Sequence, residues 1–381
     1  MEQSEGFTKD PNIIFRLWWA IYGLKQTGLA WWCQLYFSMQ ELGFEHLKSK
    51  VGIFWDKKGN TIIAVVYVDD TFFCRPDKTL LNEIKAKFMS KWECKDLGNL
   101  FEFLWMKIAW HNQCIYIDQA DYLKKILLCF QMQNAHYAPT PLPTGYHPQK
   151  HTGPVNHVLQ KKFQMLIGSL LYLMLGTCPD ITFAVTQLAW HTADPSKDHL
   201  AKALYICWYL AGTQNYALVY KGDSKLGIHA CTDSDWALNS EDWCSQTGYY
   251  LMIAGGVFSW TSRTQRTVML SSTEAKYMAL SDCSQQCIWV RSILTELGYK
   301  FGPIHISGDN QGSIFMASNP ITESCNKHID VWYHAIQDFV AQGKVKLFYL
   351  EGNENPTDMF TKNLGQAKFC KFRGQLGLEF Y

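Results

Sequence analysis

The chain has 381 residues, 35 Lys and Arg against 34 Asp and Glu, a formal net charge of +1, and 48% hydrophobic residues. That length predicts two or three domains with sizeable buried cores. The near-zero charge excludes the strongly basic balance with which many nucleic-acid proteins neutralise phosphate. No run of about 18 apolar residues occurs, which argues against a transmembrane helix. The polar, acidic start Met1-Glu2-Gln3-Ser4-Glu5 also lacks the basic and apolar segments of a signal peptide. The expectation is an intracellular chain, cytoplasmic or nuclear and not secreted. Its 13 cysteines then read as free thiols or small buried hydrophobes. The spacings Cys283/Cys287 and His111/Cys114 make no Cys-x2-Cys zinc pair.

Residues 1–105 alternate helical and extended patterns. Ala20 to Leu42 carries apolar residues at helical spacing, and 76–92 reads as a second helix. Between them Thr61 to Cys74 (TIIAVVYVDDTFFC) is an apolar, β-branched run broken by two carboxylates, which predicts strand–turn–strand. Residues 106–156 offer a short strand at Cys114 to Ile117 and a helix from Ala120 to Cys129. A linker punctuated by Pro139, Pro141, Pro143, Pro148 and Pro154 follows.

Residues 157–225 read as a mostly helical connection, with apolar stripes such as FQMLIGSLLYLML. Such stripes at helical spacing predict core rather than a binding groove. Residues 226–381 read as an α/β unit. Strands are expected near 227–234, 246–253, 256–262, 303–308 and 345–350, and helices near 271–298, 309–317, 326–342 and 355–363.

Four acids of this last unit fall where an α/β domain can gather them. Asp233 ends a strand-like run. Glu274 opens a helix. Asp309 follows a strand and begins the next helix. Asp358 lies in Asn355-Pro356-Thr357-Asp358, which reads as an N-cap, a Pro at the first helical position and an acid in the first turn. Singly, each acid reads as a helix cap or a solvated surface group. Together they predict a metal site, because converging carboxylates repel unless cations bind between them. Two Mg²⁺ ions about 4 Å apart can activate a water and stabilise a leaving oxygen in phosphodiester hydrolysis, and Mn²⁺ can substitute. In the N-terminal region Tyr67-Val68-Asp69-Asp70 lies at the apex of the apolar hairpin, where Asp69 and Asp70 could meet a metal and a nucleotide triphosphate.

Thr232-Asp233-Ser234-Asp235-Trp236, Ser271-Ser272-Thr273-Glu274-Ala275, Asp309-Asn310-Gln311, Lys327-His328-Ile329-Asp330 and Asn355-Pro356-Thr357-Asp358 occur in that order. So arranged, they resemble the ribonuclease H domain of copia-type LTR-retrotransposon Pol polyproteins. Ala20-Ile21-Tyr22-Gly23-Leu24-Lys25-Gln26 and Asp69-Asp70 resemble the palm of the same family's reverse transcriptase. The resemblance spans essentially the whole chain. It implies a truncated palm over 1–105, a thumb-like segment and linker over 106–156, the helical connection over 157–225, and a ribonuclease H-like mixed five-stranded sheet with helices over 226–381. The fold class is thus multidomain α+β with α/β. It implies Asp233, Glu274, Asp309 and Asp358 as metal ligands and Asp69 and Asp70 as polymerase metal ligands. An RNA–DNA hybrid or other nucleic acid would be the partner, with no membrane and no small-molecule cofactor.

Departures from the family pattern accumulate. The third polymerase acid belongs on a palm strand upstream of the segment matching Met1, so polymerisation by this chain alone is not expected. Trp18 or Trp19, Cys178, Trp243, Cys244 and Trp332 stand where the family favours basic residues. Trp105 stands at a usual Gly, and Lys276 replaces an expected acid beside Glu274. Only six of the 35 basic residues are Arg, while Trp numbers 15. C-to-T transitions in CGN codons leave that imbalance, which predicts a decaying copy of the element. Two functions follow for the C-terminal domain: metal-dependent hydrolysis of RNA in RNA–DNA hybrids, or a silent fragment with at most weak nucleic-acid binding.

Overall fold

The structure is a computed structural model that describes residues 18, 20–21, 23–56, 62–133, 136–222, 227–236, 243–319 and 334–381. The chain forms two compact units, one of residues 1–99 with 293–299, the other of 100–292 with 300–381.

In the smaller unit a helix, α1 (Thr27–Glu41), precedes an antiparallel sheet of β1 (Phe44–His46), β2 (Ile53–Asp56), β3 (Ile63–Tyr67) and β4 (Asp70–Cys74), followed by α2 (Lys78–Lys91). The helix expected from Ala20 starts only at Thr27, after Gly23 has turned the backbone through φ +96°. Asp77 starts α2 by accepting from the Thr79 and Leu80 backbone N–H groups at 2.9 and 3.5 Å. Leu35 and Met39 of α1 and Ile84 and Phe88 of α2 share a buried core with Phe44, Phe54 and Ala64 of the sheet. The expected strand–turn–strand is the β3–β4 hairpin, in which Tyr67 pairs with Asp70 across Val68 and Asp69. Val68 holds a left-handed φ of 52°, which is costly for a β-branched residue.

The larger unit contains two sheets. The first is antiparallel and runs β14-β8-β7-β6-β5, from β5 (Glu102–Phe103), β6 (Met106–His111), β7 (Cys114–Asp118), β8 (Tyr216–Lys221) and β14 (Leu378–Phe380). With it pack α3 (Ala120–Cys129), α4 (His157–Gly176), α5 (Thr182–Ala189) and α6 (Lys197–Gly212). Leu123, Phe163, Leu166, Leu170, Leu173, Ile206 and Leu210 share one core, so the apolar stripes are indeed interior. Asn156 caps α4, and a reciprocal Ser196/His199 capping box starts α6. The mostly helical reading of 157–225 is wrong toward its end. Tyr216–Lys221 is a strand, because β7 and β14 offer it a hydrogen-bonded place on both sides.

The second sheet runs β11-β10-β9-β12-β13, from β9 (His229–Asp235), β10 (Gln246–Ile253), β11 (Gly256–Thr264), β12 (Ile304–Gly308) and β13 (Val345–Tyr349). β9, β10 and β11 pair antiparallel, while β12 runs parallel to both β9 and β13. This is the mixed five-stranded sheet expected, with each strand within about two residues of its predicted place. The helices are α7 (Ser272–Glu296), α8 (Gln311–Ser318), α9 (Ala335–Ala341) and α10 (Gln366–Gln375). The helix expected over 355–363 is instead a 3-10 turn, Pro356–Phe360. Of the helix expected over 326–342, residues 326–333 lie outside the described residues.

Candidate functional site

The parallel pairing of β9 with β12 sets the site. Gly308 is in register with Thr232, so the next residues along, Asp309 and Asp233, emerge side by side toward the carboxyl ends of adjacent strands. That is where open α/β sheets place their chemistry. On the other flank of β9, Gly248 of β10 is in register with Asp233. A Cβ at Gly248 would meet Cβ of Phe360 at 2.8 Å and Cγ2 of Thr361 at 2.9 Å, so glycine lets the 3-10 turn lie against the sheet. Asn355 fixes that turn. Its side-chain amide donates to the Thr232 carbonyl at 3.1 Å, and its side-chain oxygen accepts from the Thr357 backbone N–H at 3.2 Å. The turn thereby carries Asp358 to the same place.

The three aspartates are bound together by lysines. The Lys276 Nζ donates to Oδ1 of Asp233 at 2.7 Å and to Oδ1 and Oδ2 of Asp309 at 2.5 and 2.6 Å. Lys362 Nζ donates to Oδ1 of Asp358 at 2.8 Å and stands 3.7 Å from Oδ2 of Asp233. Lys368 Nζ donates to Oδ2 of Asp358 at 2.5 Å, and the Thr361 hydroxyl donates to Oδ2 of Asp233 at 2.9 Å. Three carboxylates thus face three ammonium groups. The Asp233 side chain is 0% exposed, so its charge depends on these partners. Burial pushes its carboxyl up, but the Lys276 and Lys362 charges and the hydrogen bonds outweigh this and hold it below the usual carboxylate range. Burial works against the charge on Lys276 too, and Asp233 and Asp309 reverse that, raising it above an ordinary lysine. Nearby Asp235 is raised, chiefly by burial.

Glu274, expected as the fourth member, is not brought into this cluster. Its carboxylate accepts from the Leu270 backbone N–H at 3.0 Å, just before α7. Residues two apart on a helix lie about 200° apart around its axis, so Glu274 and Lys276 leave α7 on different sides. The sequence marked Lys276 as an altered position but not as the side chain that faces the aspartates. Lys362 and Lys368, also in the cluster, carry no distinguishing sequence signal beyond their nearness to Asp358.

The donor set therefore does not fit a divalent ion. Mg²⁺ takes carboxylate oxygens at about 2.0–2.1 Å, and the Lys276 ammonium stands between Asp233 and Asp309 where such an ion would have to be. Among the described residues, no group of three or more His, Cys, Asp and Glu side chains is arranged to hold a metal.

In the smaller unit Asp69 and Asp70 are exposed at the hairpin tip. His328, the Lys327–Asp330 motif, Trp19 and Trp332 lie outside the described residues. His334 meets the Tyr277 hydroxyl at 2.9 Å, a structural contact. Trp18 and Trp243 are exposed, while Cys178 is half-buried with its thiol pushed up by burial. Trp105 is exposed at φ +59°, a conformation that glycine adopts without strain, and the Lys125 ammonium lies 4.2 Å from its ring centre. No described helix is long and apolar enough to cross a membrane.

Residues 1–144 match the family model described as reverse transcriptase (RNA-dependent DNA polymerase). The chain is 33% identical over 387 residues to the retrovirus-related Pol polyprotein from transposon RE1 of Arabidopsis thaliana, covering 99% of this chain and 26% of that protein. It is 32% identical to the Pol polyprotein from transposon TNT 1-94 of Nicotiana tabacum, covering 97% of this chain and 29% of that one. The chain thus spans about a quarter of the length of these relatives. Among solved structures, the foamy viral protease-reverse transcriptase in complex with dsDNA aligns over 87% of this chain and 60% of its own, at 12% identity and a TM-score of 0.44.

Proposed function

Because the chain belongs to the copia-type retrotransposon Pol family, we propose that it is a Pol-derived fragment whose ribonuclease H-like part no longer hydrolyses RNA. The reading takes metal-dependent cleavage of RNA in RNA–DNA hybrids as the ancestral activity of this part, and weak binding of such hybrids or other nucleic acid as what remains. One observation carries it: the ammonium of Lys276 spans Asp233 and Asp309. Divalent ions held by carboxylates would supply an activated water and a stabilised leaving oxygen. A lysine in their place neutralises the aspartates but offers no open coordination position for a water. The exposed Asp69 and Asp70 are, on this reading, relics of polymerase metal binding.

The competing reading, a residual endonuclease, is favoured by the gathering of Asp233, Asp309 and Asp358 at one place. Hydrolysis of a labelled RNA–DNA hybrid with Mg²⁺ or Mn²⁺ separates the two. The wild-type chain and its Asp309→Asn variant should cleave at the same background rate. Cleavage by the wild type that the substitution removes would establish the endonuclease instead.

A further inference from the structure

We propose that Lys276 is an internal replacement for the divalent cation of this site, and that this one side chain keeps a metal out of an otherwise assembled acidic centre. An ammonium has three N–H donors and no acceptor. Lys276 has three carboxylate oxygens within 2.7 Å, one of Asp233 and two of Asp309. All its donors are therefore used on the pair of acids that adjacent parallel strands hold side by side. Such a pair, with one member fully buried, needs a cation of some kind. A covalently attached one is always present and cannot be diluted or chelated away.

The surroundings do not depend on Lys276. Asn355 ties the 3-10 turn to β9, Gly248 leaves the turn room, and Lys362 and Lys368 hold Asp358 from the other side. Ala275, Tyr277, Met278 and Ala279 around position 276 are all buried, so α7 is anchored by neighbours other than Lys276. A glutamate there would be shorter than lysine, so its carboxylate would stop short of the two aspartates and leave a gap bounded by oxygens. Lys276→Glu thus replaces a plug by a fourth wall.

The inference rests on the silent reading of this site, but its readout is cation binding and not cleavage. The full chain, its Lys276→Glu variant and the Lys276→Glu/Asp309→Asn double variant are titrated with Mn²⁺ alone, following loss of the free-ion electron paramagnetic resonance signal. The single variant should bind about tenfold or more tightly than wild type, since affinity for such ions follows the count of charged ligands, and the double variant should lose the gain. Should Lys276→Glu not fold without metal, Lys276→Gln serves, and Mn²⁺ should raise its melting temperature more than that of wild type. Equal Mn²⁺ binding by wild type and folded Lys276→Glu, or equal melting shifts for wild type and Lys276→Gln, overturns the proposal. A wild-type chain that binds Mn²⁺ yet cleaves nothing defeats this proposal alone. Asp309-dependent cleavage defeats the functional reading.

Discussion

Lys276 and Asp233 are the residues on which the site turns, and their charges predict its energetics. Removing one partner of a buried ion pair leaves the other charge stranded. Lys276→Met should therefore cost about 3–5 kcal/mol of unfolding free energy in urea titration, and a loss below about 1 kcal/mol would show that the contact is not a buried pair. The pH dependence follows by linkage. Asp233 is lowered from 3.8 in the folded chain, so its contribution is present above that value and lost as pH falls through the folded one. Lys276 is raised from 10.5, so its contribution is full below that value and lost as pH rises through the folded one. Melting temperature against pH should show a plateau with an acid limb that Asp233→Asn weakens; a limb unchanged by that substitution would contradict the assignment.

Asp233, Asp309 and Asp358 were legible in the sequence because strand ends and helix starts leave a local signature. The choice between Glu274 and Lys276 was not. Almost every residue of α7 from Ala275 to Ser284 is buried, so no apolar stripe reports which way the helix faces, and a two-residue error reverses the side chain.

At the level of elements, the close approach of the 3-10 turn to β10 leaves no room for a side chain at Gly248. Gly248→Ala forces a methyl against Phe360 and Thr361. Overpacking of this kind costs about 1–3 kcal/mol, and a crystal structure of the variant should show the turn displaced with Asp358. An unshifted turn and unchanged stability would count against the packing described. Most strands of the second sheet were legible as short runs rich in apolar residues near Gly or Pro, while β9, a mixed polar run, was legible from the acidic motif at Asp233. β8 and β14 were not. β14 has three residues, and β8 is a short run just past Gly212 and Asn215 at the end of α6, so what makes them strands is pairing with distant chain segments. Deleting 376–381 should therefore uncover the β8 edge, lower the melting temperature and promote aggregation. A truncated chain as stable and monomeric as the parent would contradict this.

On the scale of the whole molecule, two compact units with separate cores are described. Separate cores predict two calorimetric transitions, of which Lys276→Met should move only that of the larger unit. A single transition moved as a whole would show instead that the units unfold together.

Crystals of the wild-type chain soaked in Mn²⁺ test the central claim most directly, through anomalous scattering at the manganese edge. The account predicts density for the Lys276 ammonium between Asp233 and Asp309 and no anomalous peak there. A manganese peak bridging the two aspartates, with Lys276 swung aside, would contradict it.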